Sequence, residues 1–177
     1  LMKNILFAAL LLFTGTTLLA QETAADKVLF KLPNVSVTDM KGAKINTDKL
    51  YNDGKPMIIS FWATWCKPCI KELTTIADVY EDWQEETGVK LYAVSIDDSR
   101  STAQVKTLVN GKSWEYEILL DPNGEFKRAM NVNAVPHTFV VNGKGEIVWQ
   151  HTSFSEGAEL DLINVVRKLN AGEPVSH

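Results

Sequence analysis

From position 57 the chain reads Met57-Ile58-Ile59-Ser60-Phe61-Trp62, apolar at all but one position. A run of this kind predicts a strand buried on both faces, as in a sheet covered by helices on each side. From Lys67 the period changes. Ile70, Leu73, Ile76, Ala77, Tyr80 and Trp83 recur at threes and fours, which predicts one stripe of a single helix that Gly88 stops. Residues 91–96 (LYAVSI) predict a second buried strand, and 101–110 a short helix ended by Gly111. A short strand at 118–120 is closed by Asp121-Pro122-Asn123-Gly124, and 125–130 form a helical turn. Two hairpins are expected, 35–38 with 43–46 and 138–141 with 146–151, each around a polar, glycine-bearing turn. Leu160, Ile163, Val166 and Leu169 mark a C-terminal helix with Gly172 beyond it.

Strands joined by helices and closed by an antiparallel hairpin predict an α/β fold: a three-layer α/β/α sheet with an N-terminal β-hairpin and a central strand–helix insertion. One domain, residues 32–177, suffices. The first residues differ from the rest. Lys3 precedes an unbroken apolar run at 5–13, and Leu18-Leu19-Ala20 leads into polar Gln21-Glu22-Thr23. That layout predicts a secretory signal peptide at 1–20, cut after Ala20 and followed by a lead-in segment at 21–31, solvated over 21–27. The apolar run is shorter than the ~20 residues a spanning helix needs.

Composition is that of a globular protein, 45% hydrophobic and 23% charged. Net charge is −4, from 22 acidic and 18 basic side chains, with no basic run, so nucleic acid is excluded as a partner.

Cys66 and Cys69 are the two cysteines of the 177 residues, and they stand three positions apart between the buried strand and the helix. A staple, a metal clip and a redox centre are the candidate readings. A disulfide here closes a tiny loop, so it constrains the unfolded chain little. Structural zinc takes four ligands, usually from two such pairs, and no histidine lies near this one. A redox centre fits the position. Cys66 falls at the N-cap of the helix, where free backbone N–H groups and the positive end of the dipole favour a thiolate. Its pKa is expected below the ~8.5 of a free thiol, within the roughly 3.5–7.5 of such motifs, and Lys67 adds a positive charge. Pro68 fits the first helical turn. Cys69, pointing inward, attacks once Cys66 holds a mixed disulfide.

The second motif is Asn133-Ala134-Val135-Pro136-His137-Thr138-Phe139. FWATWCKPC followed by VPHTF resembles the thioredoxin superfamily, in particular its exported TlpA/ResA-like branch, over residues 32–170. The resemblance implies a thioredoxin-like fold and a thiol–disulfide oxidoreductase without a bound cofactor. It implies that Pro136 is cis and lies against the dithiol, with Val135 facing the sulfurs. It also implies that Glu72 influences proton movement and partner choice; the alternative is a surface helix carboxylate. The chain departs from cytoplasmic thioredoxins at Ser60, where they carry a buried aspartate, and at Lys67-Pro68, where they carry Gly-Pro.

The expected activity is reduction of protein disulfides, with Cys66, Cys69, Pro136 and Glu72 at the centre and Trp65, Lys67, Pro68 and Val135 on the docking face. The resemblance further implies disulfide-bearing protein substrates, a membrane thiol-relay electron donor and service to cytochrome c maturation, by a monomer outside the cytoplasm. Two alternatives stay open: a net oxidase with the same site, and a Cu(I) chaperone gripping the ion with both cysteines and His137. A peroxiredoxin signature is absent, since Ala63 and Ile59 stand where it needs threonine and proline. His137 reads as a packed histidine or a tuning group, Trp62 as core, and Asp97-Asp98 as a helix cap or a metal pair. His151 and His177 carry no expected role.

Overall fold

The computed structural model describes residues 27–175. The expected signal segment with its cut after Ala20, the start of the lead-in and His177 lie outside them. In chain order the strands are β1 (Phe30–Lys31), β2 (Ser36–Asp39), β3 (Lys44–Asn46), β4 (Met57–Trp62), β5 (Lys90–Ser95), β6 (Glu117–Leu120), β7 (His137–Val141) and β8 (Glu146–Thr152). The helices are α1 (Lys67–Ala77), α2 (Tyr80–Thr87), α3 (Thr102–Lys112), α4 (Glu125–Ala129) and α5 (Ala158–Ala171).

All eight strands form one mixed sheet in the order β1-β8-β7-β4-β5-β6-β2-β3. β4 lies at the centre, parallel to β5 and antiparallel to β7, and every one of its residues is buried. The apolar run at 57–62 thus has the cause expected of it: both faces are covered. Its alternation divides the core. Ile58 and Trp62 face the cluster under α1, α2, α3 and α5, whereas Met57, Ile59 and Phe61 face Phe126 and Met130 around α4. The three layers are therefore unequal. Parallel β4, β5 and β6 advance in one direction, and right-handed crossovers put α1, α2 and α3 on the same face.

Four expectations are corrected. The helix expected from Lys67 to Gly88 is two helices, because Val79 leaves helical geometry at φ −127° and ψ 4°. The end of α1 tightens, with Val79 N–H donating to Ile76 O at 3.1 Å. The break re-aims α2 so that Tyr80 reaches the sheet, where its hydroxyl accepts from Leu91 N–H at 2.9 Å. Gly111 lies inside α3 rather than ending it, and Ser113 in the left-handed region (φ 53°) supplies the stop. Leu160 is 60% exposed, and α5 buries Leu162, Ile163, Val165 and Val166 instead. Finally, Phe30 and Lys31 of the expected lead-in are already in the sheet, as β1 paired with β8.

Candidate active site

The chain leaves β4 at Trp62 and turns into α1 within four residues. Cys66 N–H donates to Ala63 O at 3.0 Å, and Cys66 O accepts from Ile70 N–H at 3.1 Å. Cys66 is the N-cap of α1, and its Sγ accepts from Cys69 N–H at 3.3 Å. A sulfur so placed meets the unpaired N–H groups and positive dipole end of an 11-residue helix, which stabilise negative charge on it. Cys66 and Cys69 are joined as a disulfide. Cys69 is fully buried.

Asp97, just past β5, holds this turn from below. Its carboxylate accepts from Thr64 N–H at 2.9 Å, Thr64 Oγ1–H at 2.6 Å and Ser95 Oγ–H at 2.8 Å. Neighbouring Asp98 faces the other way and accepts from Arg100 N–H and Ser101 N–H at the entry to α3. The acidic pair is thus a clamp and a cap, not a metal pair. Sequence reading missed the clamp because its partner lies 33 positions away.

Around the disulfide, Trp65, Lys67 and Pro68 are exposed, Trp65 by 68%. The Val135–Pro136 bond is cis. Pro136 is buried, and Val135 packs against the apolar cluster that contains Cys66 and Cys69.

Glu72 is one turn beyond Cys69 on the buried stripe of α1, with Leu73 and Ile76. It is 2% exposed, so it is no surface carboxylate. Thr138 Oγ1–H donates to its Oε1 at 2.8 Å and lies 3.0 Å from Ser60 Oγ. A hydroxyl carries one proton, so Thr138 gives it to the carboxylate and accepts from Ser60. Glu72 Oε2 has no hydrogen-bond partner. Burial pushes the Glu72 carboxyl up to about 7, against the Thr138 bond that pulls it down.

The histidines divide by face. Thr138 looks toward α1, so His137 looks away. It stacks on Phe139 at 4.3 Å and pairs its Nε2 with Gln150 Oε1 at 2.9 Å. Burial holds its pKa below the ordinary value. It is a packed, hydrogen-bonded histidine, aimed away from the dithiol and hence from any Cu(I) held there. His151, which carried no expectation, is on the α1 face with its Nε2 3.9 Å from Glu72 Oε1. One signal for it was available: register across a hairpin puts 151 opposite 138.

Sheet, helix-capping cysteine and cis-proline loop define a thioredoxin-like protein. Residues 28–150 match the AhpC/TSA family, and the chain belongs to that family. The thiol-disulfide oxidoreductase ResA of Bacillus thuringiensis (strain Al Hakam) is 32% identical over 118 residues, 67% of this chain and 65% of that protein. The chain therefore matches just under two thirds of that relative's length. The solution structure of an uncharacterized thioredoxin-like protein from Porphyromonas gingivalis is 56% identical, with a TM-score of 0.72 over 79% of this chain and 92% of that one. The crystal structure of StoA from Bacillus subtilis is 27% identical, with a TM-score of 0.59 over 75% and 99%. The thioredoxin-like fold and ResA-like kinship expected from the two motifs are borne out.

Proposed function

We propose that this chain is an extracytoplasmic thiol–disulfide oxidoreductase that reduces protein disulfides. Cys66 thiolate attacks a substrate disulfide, forming a mixed disulfide and releasing one substrate thiolate. Cys69 then attacks Cys66 Sγ, the Cys66–Cys69 bond forms, and the second substrate thiolate leaves. Two electrons pass from the dithiol to the substrate, with no other cofactor. Pro136 and Val135, with Trp65, Lys67 and Pro68, form the face on which the substrate chain docks. Glu72 takes the proton that Cys69 must lose.

The observation that carries this reading is the Cys66 sulfur at the N-cap of α1, paired with a fully buried Cys69. Cys66 keeps 5% exposure and Cys69 none, which supports the first as the attacking thiol and the second as the resolving one. The names of the ResA relatives support the chemistry. Export rests on the sequence of residues 1–20. Re-reduction by a membrane thiol relay, service to cytochrome c maturation and a monomeric state belong to the same reading.

Insulin reduction with dithiothreitol as donor tests it. Cys66→Ser is expected to abolish the activity and Cys69→Ser to trap mixed disulfides. Full activity in Cys66→Ser would show that Cys66 is not the nucleophile. Direction is decided by the equilibrium potential of the pair, read from tryptophan fluorescence. A value near ~−270 mV fits a reductant, and one near ~−120 mV reverses the direction.

A further inference from the structure

Among the described residues, the buried polar atoms without a hydrogen-bond partner include Glu72 Oε2 and His151 Nε2, both on the α1 face of the sheet. They belong to side chains that meet. His151 Nε2 is 3.9 Å from Glu72 Oε1, beyond hydrogen-bond length but within reach of a small torsion of the glutamate. Buried polar groups are rarely left unpaired, and such a group in a native fold calls for an explanation. Two orphans on adjoining side chains are explained together if a proton passes between them.

The surroundings of His151 give that proton an exit. Its side chain is 20% exposed, against 2% for Glu72. It lines a cleft of about 270 Å³, together with Trp149, Ser153, Phe154 and Asp161. The Trp149 ring meets it edge-on at 5.0 Å and fixes the plane of the imidazole. Glu72 itself has no such opening. Ser60 and Thr138 lie beneath it, and Tyr116, whose hydroxyl is raised chiefly by burial and then by the charges of Tyr80, Asp78 and Glu72, lies within reach of its charge.

We infer that His151 is a positioning residue of the dithiol site, relaying to solvent the proton that Glu72 takes from Cys69. This deepens the function proposed above and rests on it. In the resolving step the Cys69 S–H bond breaks and its proton goes to the Glu72 carboxylate. As the carboxyl O–H then breaks, the proton moves to His151 Nε2, and the imidazolium releases one to water in the cleft. The electron pair left on Cys69 forms the bond to Cys66, and the substrate thiolate departs. No redox partner beyond the dithiol and its substrate is needed.

The charges facing His151 are consistent with a brief stop for the proton. Burial is the main influence holding its pKa below the ordinary value, and His137 on β7 acts the same way. A backbone hydrogen bond at Ser153 and the Asp161 carboxylate on α5 act against them. The ring is therefore neutral at neutral pH, and its contact with Glu72 is a path rather than a standing ion pair.

The test uses the full chain, with His151→Gln, His151→Ala and Glu72→Gln. Stopped-flow tryptophan fluorescence separates capture of a disulfide peptide from resolution. Carbon-13 NMR follows the Glu72 carboxyl in the oxidised protein, which needs no exchange activity. His151→Gln is expected to move the Glu72 titration and to slow resolution about tenfold near pH 7, short of the 10²–10⁴ of a direct general base. Capture should be unchanged. Added imidazole, entering the cleft, should restore resolution in His151→Ala. Wild-type resolution rates and pH profiles in both His151 variants would overturn the relay. So would a slowed step that imidazole does not restore, with the Glu72 titration unmoved. If Glu72→Gln resolves as fast as wild type at every pH, the role of Glu72 in the proposed function fails. The NMR titration then still shows whether the two groups are coupled.

Discussion

Replacing Glu72 by glutamine removes one proton site from the interior while leaving the side chain's shape nearly unchanged. Burial raises the folded-state carboxyl from an ordinary 4.5 to about 7. In the unfolded chain the group titrates near the ordinary value, so between the two pH values the folded state holds a proton that the unfolded state has lost. Stability then falls as pH rises through that window and is lowest above about 7, the reverse of a salt-bridged carboxylate. The gap, 7 − 4.5, is about 2.5 pH units. At ~1.36 kcal/mol per unit, the ionised folded state is penalised by about 3 kcal/mol. Glutamine carries no such penalty.

The advantage of Glu72→Gln over wild type should therefore grow by about 2–3 kcal/mol between roughly pH 5 and pH 8. Urea unfolding of both oxidised proteins across that range, followed by tryptophan fluorescence, reads it directly. The two proteins share every other titration, so the difference isolates Glu72 and whatever couples to it. A difference constant within about 0.5 kcal/mol over the range would mean that Glu72 titrates like an exposed carboxylate. The reading of it as a buried proton acceptor would then be wrong.

Asp97→Asn should loosen the turn before Cys66, because the hydrogen bonds from Thr64 and Ser95 lose their charged acceptor. A loss of about 1.5–3 kcal/mol is expected in urea unfolding, with slower disulfide exchange in the same variant. Gly143→Ala should destabilise by about 1–3 kcal/mol or more, since a Cβ there would stand 1.9 Å from the Gly54 carbonyl oxygen and neither backbone can yield cheaply. Gly111→Ala makes the contrasting case. Its Cβ would meet nothing within 4 Å inside α3, and thermal or urea unfolding should show a gain of about 0.5–1 kcal/mol.

The sequence was most legible where one local cause decided the outcome. The unbroken apolar run of β4, the polar turns of both hairpins and the cysteine at a strand-to-helix junction are of this kind. It was least legible where two weak local signals competed or the cause was remote. Nothing at Asp78-Val79 announces a helix break; Tyr80's bond to the start of β5 accounts for it. Gly111 looked like a stop, yet a glycine is tolerated inside a helix, and Ser113 took the left-handed position two residues on. Leu160 matched the helical period but falls in the first turn of α5, outside the buried face formed by Leu162 and Val166. At the site, residues in motifs were legible singly. Their grouping was not, because Ser60, Glu72, Thr138 and His151 come from β4, α1, β7 and β8 and meet only in the folded sheet.

With Glu72 in its proposed role, that grouping also explains how the chain would dispense with an aspartate at position 60. The strand position opposite the dithiol helix carries a hydroxyl, and the carboxyl descends from the helix itself. Cys69 and Glu72 are then neighbours at i and i+3, about 5–6 Å apart at Cβ, a spacing fixed by the helix rather than by how it packs on the sheet. Any slide of α1 over β4 and β7 carries thiol and carboxyl together but changes how Glu72 meets Thr138 and His151. Reach and acidity are thereby separated. On the proposed role of Glu72, the helix sets the distance over which the proton is taken, and the sheet beneath sets how tightly it is held. Substitutions at Ser60, Thr138 or His151 should therefore shift the pH at which the site works while leaving Cys69 and Glu72 within the same reach of one another.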